Sequence, residues 1–291
     1  MTLEKKSACK VNLLLNIMGQ RADGFHELET VLHPVNLHDT LTFERSENGI
    51  QLTCSEPTLP TDSKNLVYRA ARIFLNQANL SEGLKIHLEK KIPLAAGLGG
   101  GSGNAATALL GLNELFGSPF TATQLQEMAA ELGSDIPFFL QNKPALATGR
   151  GEKIKPLDFF PALRGICILL IYPGFGIPTA WAYQQLANFP EALNGKKGRA
   201  EKLISLLRQN DSAAASQEFY NSLEAPALNK FPLLSLFQEF FRNHGAAALM
   251  SGSGSTTFAL ATEKIAAENL LEKFKTKFGA TFWTAIIPLT Q

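Results

Sequence analysis

The stretch Pro93-Leu94-Ala95-Ala96-Gly97-Leu98-Gly99-Gly100-Gly101-Ser102-Gly103-Asn104-Ala105-Ala106 constrains this chain more than any other. Before it, Leu84-Lys85-Ile86-His87-Leu88-Glu89 alternates apolar and polar, the period of a half-buried strand. After it, Ala105, Ala108, Leu109, Leu112 and Phe116 share one helical stripe and predict a helix over 104–116. A strand must end and a helix must begin inside a segment with five glycines in the seven positions 97–103. Such density costs conformational entropy, permits left-handed dihedrals and removes the side chains that keep a ligand off the backbone. The helix start adds unpaired N–H groups and the positive end of its dipole. Together they predict a phosphate cradle rather than a flexible turn.

Two familiar phosphate loops do not fit. The mononucleotide loop needs a lysine after its last glycine, whereas Gly101 is followed by Ser102 and Gly103. The dinucleotide fingerprint needs glycines at its first, third and sixth positions; counted from Gly97 the sixth is Ser102, and from Gly99 it is Asn104. A nicotinamide-dependent oxidoreductase is thereby disfavoured.

The chain has 291 residues, and domains usually hold roughly 100–200, so two are expected. The proline- and aromatic-rich stretch 155–165 is the candidate boundary, giving an N-terminal nucleotide-binding domain over 1–158 and a C-terminal domain over 159–291. In the first, strands are predicted over 11–17, 28–35, 40–45, 50–54 and 84–89, with a helix over 65–76. Thr121 and Gln124 form a capping-box pattern that opens a helix stopping at Gly133. In the second, strands over 166–172, 246–250, 256–261 and 281–287 alternate with helices over 179–187, 199–209, 233–243 and 263–277. Strands paired around helices predict an α+β sandwich similar to a ferredoxin-like fold.

Other classes are excluded by composition. With 45% hydrophobic and 18% charged residues the chain can build a sizeable core. A formal charge of +1 gathers neither nucleic acid nor an anionic membrane, and the basic stretch Gly195-Lys196-Lys197-Gly198-Arg199 reads as a solvated loop before a helix. The purest apolar run, Ile166 to Tyr172, is far short of the ~20 residues a membrane helix needs. Met1-Thr2-Leu3-Glu4-Lys5-Lys6 is not a secretory leader. Three scattered cysteines, Cys9, Cys54 and Cys167, lack metal-ligand spacing and fit a reducing compartment. A cytoplasmic protein is expected.

The glycine segment resembles the Pro-x-x-x-Gly-Leu-Gly motif, continued by small residues and a serine, of the galactokinase–homoserine kinase–mevalonate kinase (GHMP) family. Lys10-Val11-Asn12-Leu13, Gly19-Gln20-Arg21-Ala22-Asp23-Gly24-Phe25-His26-Glu27-Leu28, Leu132-Gly133-Ser134-Asp135-Ile136-Pro137-Phe138 and Ser251-Gly252-Ser253-Gly254-Ser255 extend the resemblance, in order, along nearly the whole chain. They are similar to the branch of that family that phosphorylates the 2-hydroxyl of a cytidylated methylerythritol in the non-mevalonate isoprenoid pathway. Departures are Ser7-Ala8-Cys9-Lys10 for Ser-Pro-Ala-Lys, Phe25 for a tyrosine, Ala95-Ala96 for a glycine pair and Gly103 for a second serine.

The resemblance implies a two-domain α+β fold, a ribosomal-protein-S5-like domain followed by a ferredoxin-like one, with the active site in the cleft between them. It implies ATP and Mg²⁺ as cofactors, and a small-molecule acceptor carrying a cytidine diphosphate group. No nucleic-acid or membrane partner is expected, and the oligomeric expectation is a monomer or weak homodimer. Asp135 would be the catalytic base, or else a helix cap before Pro137. Lys10 would stand beside it to steady developing charge, or else be a solvated lysine on an edge strand. Pro93, Leu94, Ala95, Ala96, Gly97, Leu98, Gly99, Gly100, Gly101, Ser102 and Gly103 would wrap the ATP phosphates. Ser102 would reach the magnesium, or else cap a helix starting at Asn104. Asn65 and Lys90 would lie near the adenine, the first equally readable as an N-cap and the second as a plain surface residue. Phe25 and Tyr183 would sandwich the cytosine while His26 meets its polar edge, with core packing the alternative for both rings. Asn12 and Thr179 would lie near the polar acceptor end or the diphosphate. Gly252 and Gly254 would let backbone close over the substrate, or else form a simple hairpin turn.

Overall fold

A computed structural model describes residues 2–47 and 49–289. In chain order its strands are β1 (Thr2–Gln20), β2 (His26–Ser46), β3 (Ile50–Cys54), β4 (Gly83–Glu89), β5 (Ala145–Gly149), β6 (Lys153–Pro156), β7 (Cys167–Tyr172), β8 (Tyr220–Asn221), β9 (Ala247–Met250), β10 (Thr257–Ala261) and β11 (Trp283–Pro288). The helices are α1 (Leu66–Gln77), α2 (Gly100–Leu115), α3 (Ala122–Leu132), α4 (Thr179–Gln185), α5 (Pro190–Leu193), α6 (Arg199–Arg208), α7 (Ser212–Gln217), α8 (Glu224–Lys230), α9 (Pro232–Asn243) and α10 (Lys264–Phe278). The chain separates into two compact units. The first comprises Met1–Cys9, Leu37–Leu94 and Gly99–Asn142; the second comprises Lys10–Asn36, Ala95–Leu98 and Lys143–Gln291. A single cut at 158/159 is a different division from this interleaved one.

One sheet has the order β3-β4-β2-β1-β8, with the β5–β6 hairpin pairing onto β2. Where two strands were expected, β2 runs unbroken through Pro34. On one side it pairs with β5 over Leu28–Leu32 and with β4 over Thr40–Ser46, so Pro34 falls between the two ladders, where its missing N–H costs no bond on that side.

In the first unit, α1 buries Val67, Ala70, Ala71, Phe74 and Leu75, an i, i+3, i+4 stripe, and Asn65 caps it by accepting from the Val67 N–H at 2.9 Å. The capping box of Thr121 and Gln124 opens α3, which ends at Gly133 as expected. Helix α2 is buried almost all round. A Cβ at Gly111 would lie 2.6 Å from the Phe43 ring, so only glycine lets this helix settle on β2. Leu41, Phe43, Phe74, Leu109, Leu112 and Met128 are at the centre of that core.

The second unit contains the expected sandwich. The segments β7, α9, β9, β10, α10 and β11 form an antiparallel sheet of order β11-β7-β10-β9 with the two helices packed on it. Its core is aromatic: Phe237 and Phe274 centroids are 4.9 Å apart at 73°, and Phe274 and Phe278 are 4.8 Å apart. A second core of Leu15, Ile17, Ile177, Ala182, Leu186 and Met250 sets α4 and the end of β9 against β1. No described helix is long and apolar enough to cross a membrane.

Candidate active site

The glycine segment uses its glycines in two ways. Gly97 and Gly99 have φ of 77° and 71°, left-handed values that favour glycine, and Ala95 shares that region at 51°. A Cβ at Gly97 would sit 2.0 Å from the Ser251 carbonyl oxygen and 2.9 Å from the Gly254 nitrogen. Gly97 is therefore required by a backbone-to-backbone contact within the protein. At Gly101 an added Cβ would meet only Leu66 Cδ1 at 3.8 Å, so the fold leaves room for a side chain. Ala96 and Leu98 are buried and tether the segment from below.

Helix α2 starts at Gly100, four residues earlier than the apolar stripe suggested, with Gly99 as an N-cap that offers no side-chain hydrogen bond. Ser102 therefore lies within the first turn and does not cap a helix at Asn104. The turn's N–H groups are those a helix cannot pair internally, the geometry that receives an anion.

In the second unit, β1 brings Lys10 and Asn12 to the same place. The Lys10 N–H donates to the Leu98 carbonyl at 3.0 Å, pinning β1 to the glycine segment. Its Nζ donates to Asn12 Oδ1 at 2.5 Å and to the Gly97 carbonyl at 3.1 Å. Lys10 is 4% exposed and β1 lies between β2 and β8, so the solvated edge-strand reading is overturned. Asn12 in turn donates to Thr30 Oγ1 at 2.8 Å. The Ser/Gly turn closes this cluster: Ser251 Oγ donates to the Gly97 carbonyl at 3.0 Å, and a Cβ on Gly252 would approach Lys10 Nζ to 3.1 Å. Gly252 and Gly254 do belong to the β9–β10 hairpin connection, but that connection is buried and stitched to Ala96 by the Thr256 N–H at 3.1 Å.

In the first unit, Asp135 is exposed in a turn closed by the Ile136 N–H to the Gly133 carbonyl at 3.2 Å. The short 3₁₀ helix Pro137–Leu140 has Ile136 at its N-cap and no side-chain cap, so Asp135 is not a helix cap. Asn65 does cap α1 and also donates to the Pro60 carbonyl at 2.7 Å. Lys90 is no surface residue: its buried Nζ pairs with Asp39 and donates to Asn104 Oδ1 at 3.1 Å.

The rings expected to receive a base lie in the second unit. His26 and Tyr183 are in contact, with centroids 5.1 Å apart and planes tilted by 40°. Burial holds His26 below the ordinary imidazole range, so the ring is neutral at pH 7. Tyr183 rests on the edge of the Leu15–Met250 core. Phe25 is 51% exposed, which rules out core packing, and the Arg150 guanidinium lies 4.7 Å from its ring centroid. Thr179, exposed at the start of α4, shares a 3.0 Å hydrogen bond with Ser253.

The comparisons with known proteins agree along the chain. Residues 65–143 match the GHMP kinases N terminal domain and residues 192–280 match the GHMP kinases C terminal family. The chain belongs to the GHMP kinase family. It is 39% identical over 283 residues to a 4-diphosphocytidyl-2-C-methyl-D-erythritol kinase of Synechococcus sp. (strain JA-2-3B'a(2-13)), covering 94% of this chain and 90% of the relative. A kinase of the same name from Pelotomaculum thermopropionicum is 37% identical, with 94% of each chain covered. Among solved structures, a 4-(cytidine 5'-diphospho)-2C-methyl-D-erythritol kinase superposes with a TM-score of 0.80 at 34% identity, over 98% of this chain and 99% of that one. A homoserine kinase from Cytophaga hutchinsonii superposes at 0.76 and 21% identity, over 98% and 93%, which speaks to the fold alone.

In this GHMP kinase several residues that build the site escaped sequence reasoning. Thr30 seats Asn12. Asn221 donates to the Met250 and Gly252 carbonyls at 2.8 and 2.7 Å and so carries the Ser/Gly turn. Asp39 receives Lys90. Only Asp39 had a signal, a lone carboxylate within the apolar alternation of Val35 to Phe43.

Proposed function

We propose that this GHMP kinase transfers the terminal phosphoryl group of ATP to the 2-hydroxyl of 4-(cytidine 5'-diphospho)-2-C-methyl-D-erythritol, releasing ADP. The observation that carries the reading is the junction at Gly97: a glycine loop opening an uncapped helix, with the buried Lys10 ammonium hydrogen-bonded to the loop's own carbonyl. Phosphoryl transfer demands positioning and relief of charge more than covalent help from the protein. In this reading the α2 first turn binds phosphate oxygens through backbone N–H groups, and Gly101 leaves them room to approach. Lys10 steadies the negative charge that develops as the acceptor oxygen bonds to phosphorus and the bridge to ADP breaks. Asp135 orients the acceptor hydroxyl and takes its proton late.

Phe25 offers an open apolar face for a pyrimidine, and the neutral His26 offers a hydrogen bond to its polar edge. The GHMP kinases related to this chain by name act on such a cytidylated acceptor, which supports the assignment. Among the described residues no group of three or more His, Cys, Asp or Glu side chains could hold a metal. Mg²⁺ would then be carried largely by ATP oxygens and water, with the Ser102 hydroxyl as its protein neighbour. Bound there, the ion supplies charge neutralisation across the phosphates.

The test offers purified protein ATP with the cytidylated acceptor, homoserine or mevalonate, and follows ADP release. The cytidylated acceptor should turn over fastest, and Asp135→Asn should lower turnover by about 10²–10⁴-fold. Faster turnover of homoserine or mevalonate, or a near-normal Asp135→Asn variant, would overturn the reading.

A further inference from the structure

Outside the residues already discussed as substrate or phosphate contacts, the described residues of the first unit include one carboxylate with no exposure at all, Asp39. Its Oδ1 accepts the Lys91 and Ile92 N–H groups at 2.7 and 2.9 Å. Its Oδ2 accepts Asn104 Nδ2 at 2.9 Å and pairs with Lys90 Nζ. Lys90 also donates to Asn104 Oδ1 at 3.1 Å, and Asn104 Nδ2 reaches Ser7 Oγ at 3.0 Å. One side chain on β2 thus grips the residues immediately before the glycine segment and the residue immediately after it. The grip is close: a Cβ on Gly100 would fall 3.0 Å from Ile92 Cγ2 and 3.4 Å from Lys90 Nζ.

Such a pair is a poor way to gain stability. Removing two charges from water is costly, and well-packed apolar residues commonly stabilise as much. What a fully satisfied polar network does supply is a single geometry. Fixing both ends of residues 93–103 sets the direction of the first turn of α2 relative to the incoming β4 strand. It also lowers the entropy that the loop surrenders when a ligand orders it.

We infer that Asp39 is a positioning residue for the nucleotide loop: through Lys91, Ile92 and Asn104 it presets the spacing and aim of the phosphate-binding N–H groups. This rests on the kinase reading above and deepens it. Asp39 touches neither ATP nor acceptor in this account, so its loss acts through the residues it holds, Lys90, Lys91, Ile92 and Asn104, and the loop between them.

Three variants test it, with KM for ATP, KM for the acceptor, kcat and binding of a fluorescent ADP measured on each. Asp39→Asn puts an amide donor opposite Lys90 and Asn104 and should raise KM for ATP on the order of tenfold, with ADP binding weakened in parallel. Asn104→Ala cuts the link to α2 without burying a charge and should do the same more weakly; it protects the test if Asp39→Asn fails to fold. The double variant should be less than additive, because both act through one link. KM for the acceptor should stay within about twofold in all three. Folded variants that lose thermal stability while both KM values and ADP affinity stay unchanged would make Asp39 structural only and overturn the inference. An equal rise in both KM values would overturn it as well. Wild-type protein that binds no ADP would overturn the kinase reading itself, and this inference with it.

Discussion

Gly97 and Gly101, four positions apart in one segment, are the same residue for different reasons. At Gly97 the backbone lies against the buried Ser251–Ser255 turn, so closely that a methyl group would land 2.0 Å from a carbonyl oxygen. At Gly101 the nearest obstacle is a leucine methyl at 3.8 Å. Gly103 sides with Gly97, since its Cβ would fall 2.6 Å from the Ala8 carbonyl oxygen. A glycine-rich motif is therefore not uniformly an opening for ligand. Part of it is consumed by the fold, and what remains, Gly101 above all, is the part that a phosphate reading can use.

Gly97→Ala puts the packing role of Gly97 to the test most directly. A backbone collision combined with a left-handed φ should cost about 3 kcal/mol or more, seen as a lower midpoint in urea. A variant of normal stability would place Gly97 among the ligand-facing glycines instead.

Acid should weaken the unit that contains residues 95–98. His33, buried in the unit that contains residues 95–98, has its pKa pushed down to about 4 by burial, against a carbonyl contact that opposes the shift. Between pH 6.5 and about 4 the unfolded chain binds a proton that the folded chain refuses, so stability falls as pH falls through that window. The loss should reach up to about 3 kcal/mol near pH 4. His33→Gln should flatten this dependence; an unchanged pH profile in that variant would assign the acid sensitivity elsewhere.

Gly103→Ala comes next, with an expected cost of about 1–3 kcal/mol from overpacking against Ala8. The smallest stability change is also the most telling. Gly101→Ala should stabilise the free protein by roughly 0.5–1 kcal/mol, because alanine suits a helix better than glycine. Yet it should weaken ATP binding about tenfold if phosphate approaches there. ATP at a hundred times the wild-type Kd should stabilise wild type by about 2.7 kcal/mol and the variant by only about 1.4 kcal/mol. A parallel gain for both proteins would mean that phosphate does not pass Gly101.

Much of the architecture could be read from local pattern. The α1 and α3 boundaries, the β3 and β4 strands and the four-stranded sandwich follow from periodicity and from the caps at Asn65, Thr121 and Gly133. Local pattern was weakest where a partner strand decides the element. β1 begins at Thr2, well before its apolar run, and takes in the charged Glu4-Lys5-Lys6 stretch, which carries no apolar alternation to announce a strand. The β5–β6 hairpin is short and rich in alanine and lysine, and β8 is two residues held by β1.

The pattern along the chain was enough for the kinds of most of the longer elements, for the family through its ordered motifs, and for the residues that carry charge, ring or glycine at the site. These are properties of neighbours along the chain, where spacing decides which side chains share a face. Only the folded chain shows that Lys90 answers Asp39, that Asn221 supports the Ser/Gly turn, and that Gly97 meets backbone while Gly101 stays open. Each of those depends on atoms brought within a few ångströms from distant positions, and no local period records such a meeting.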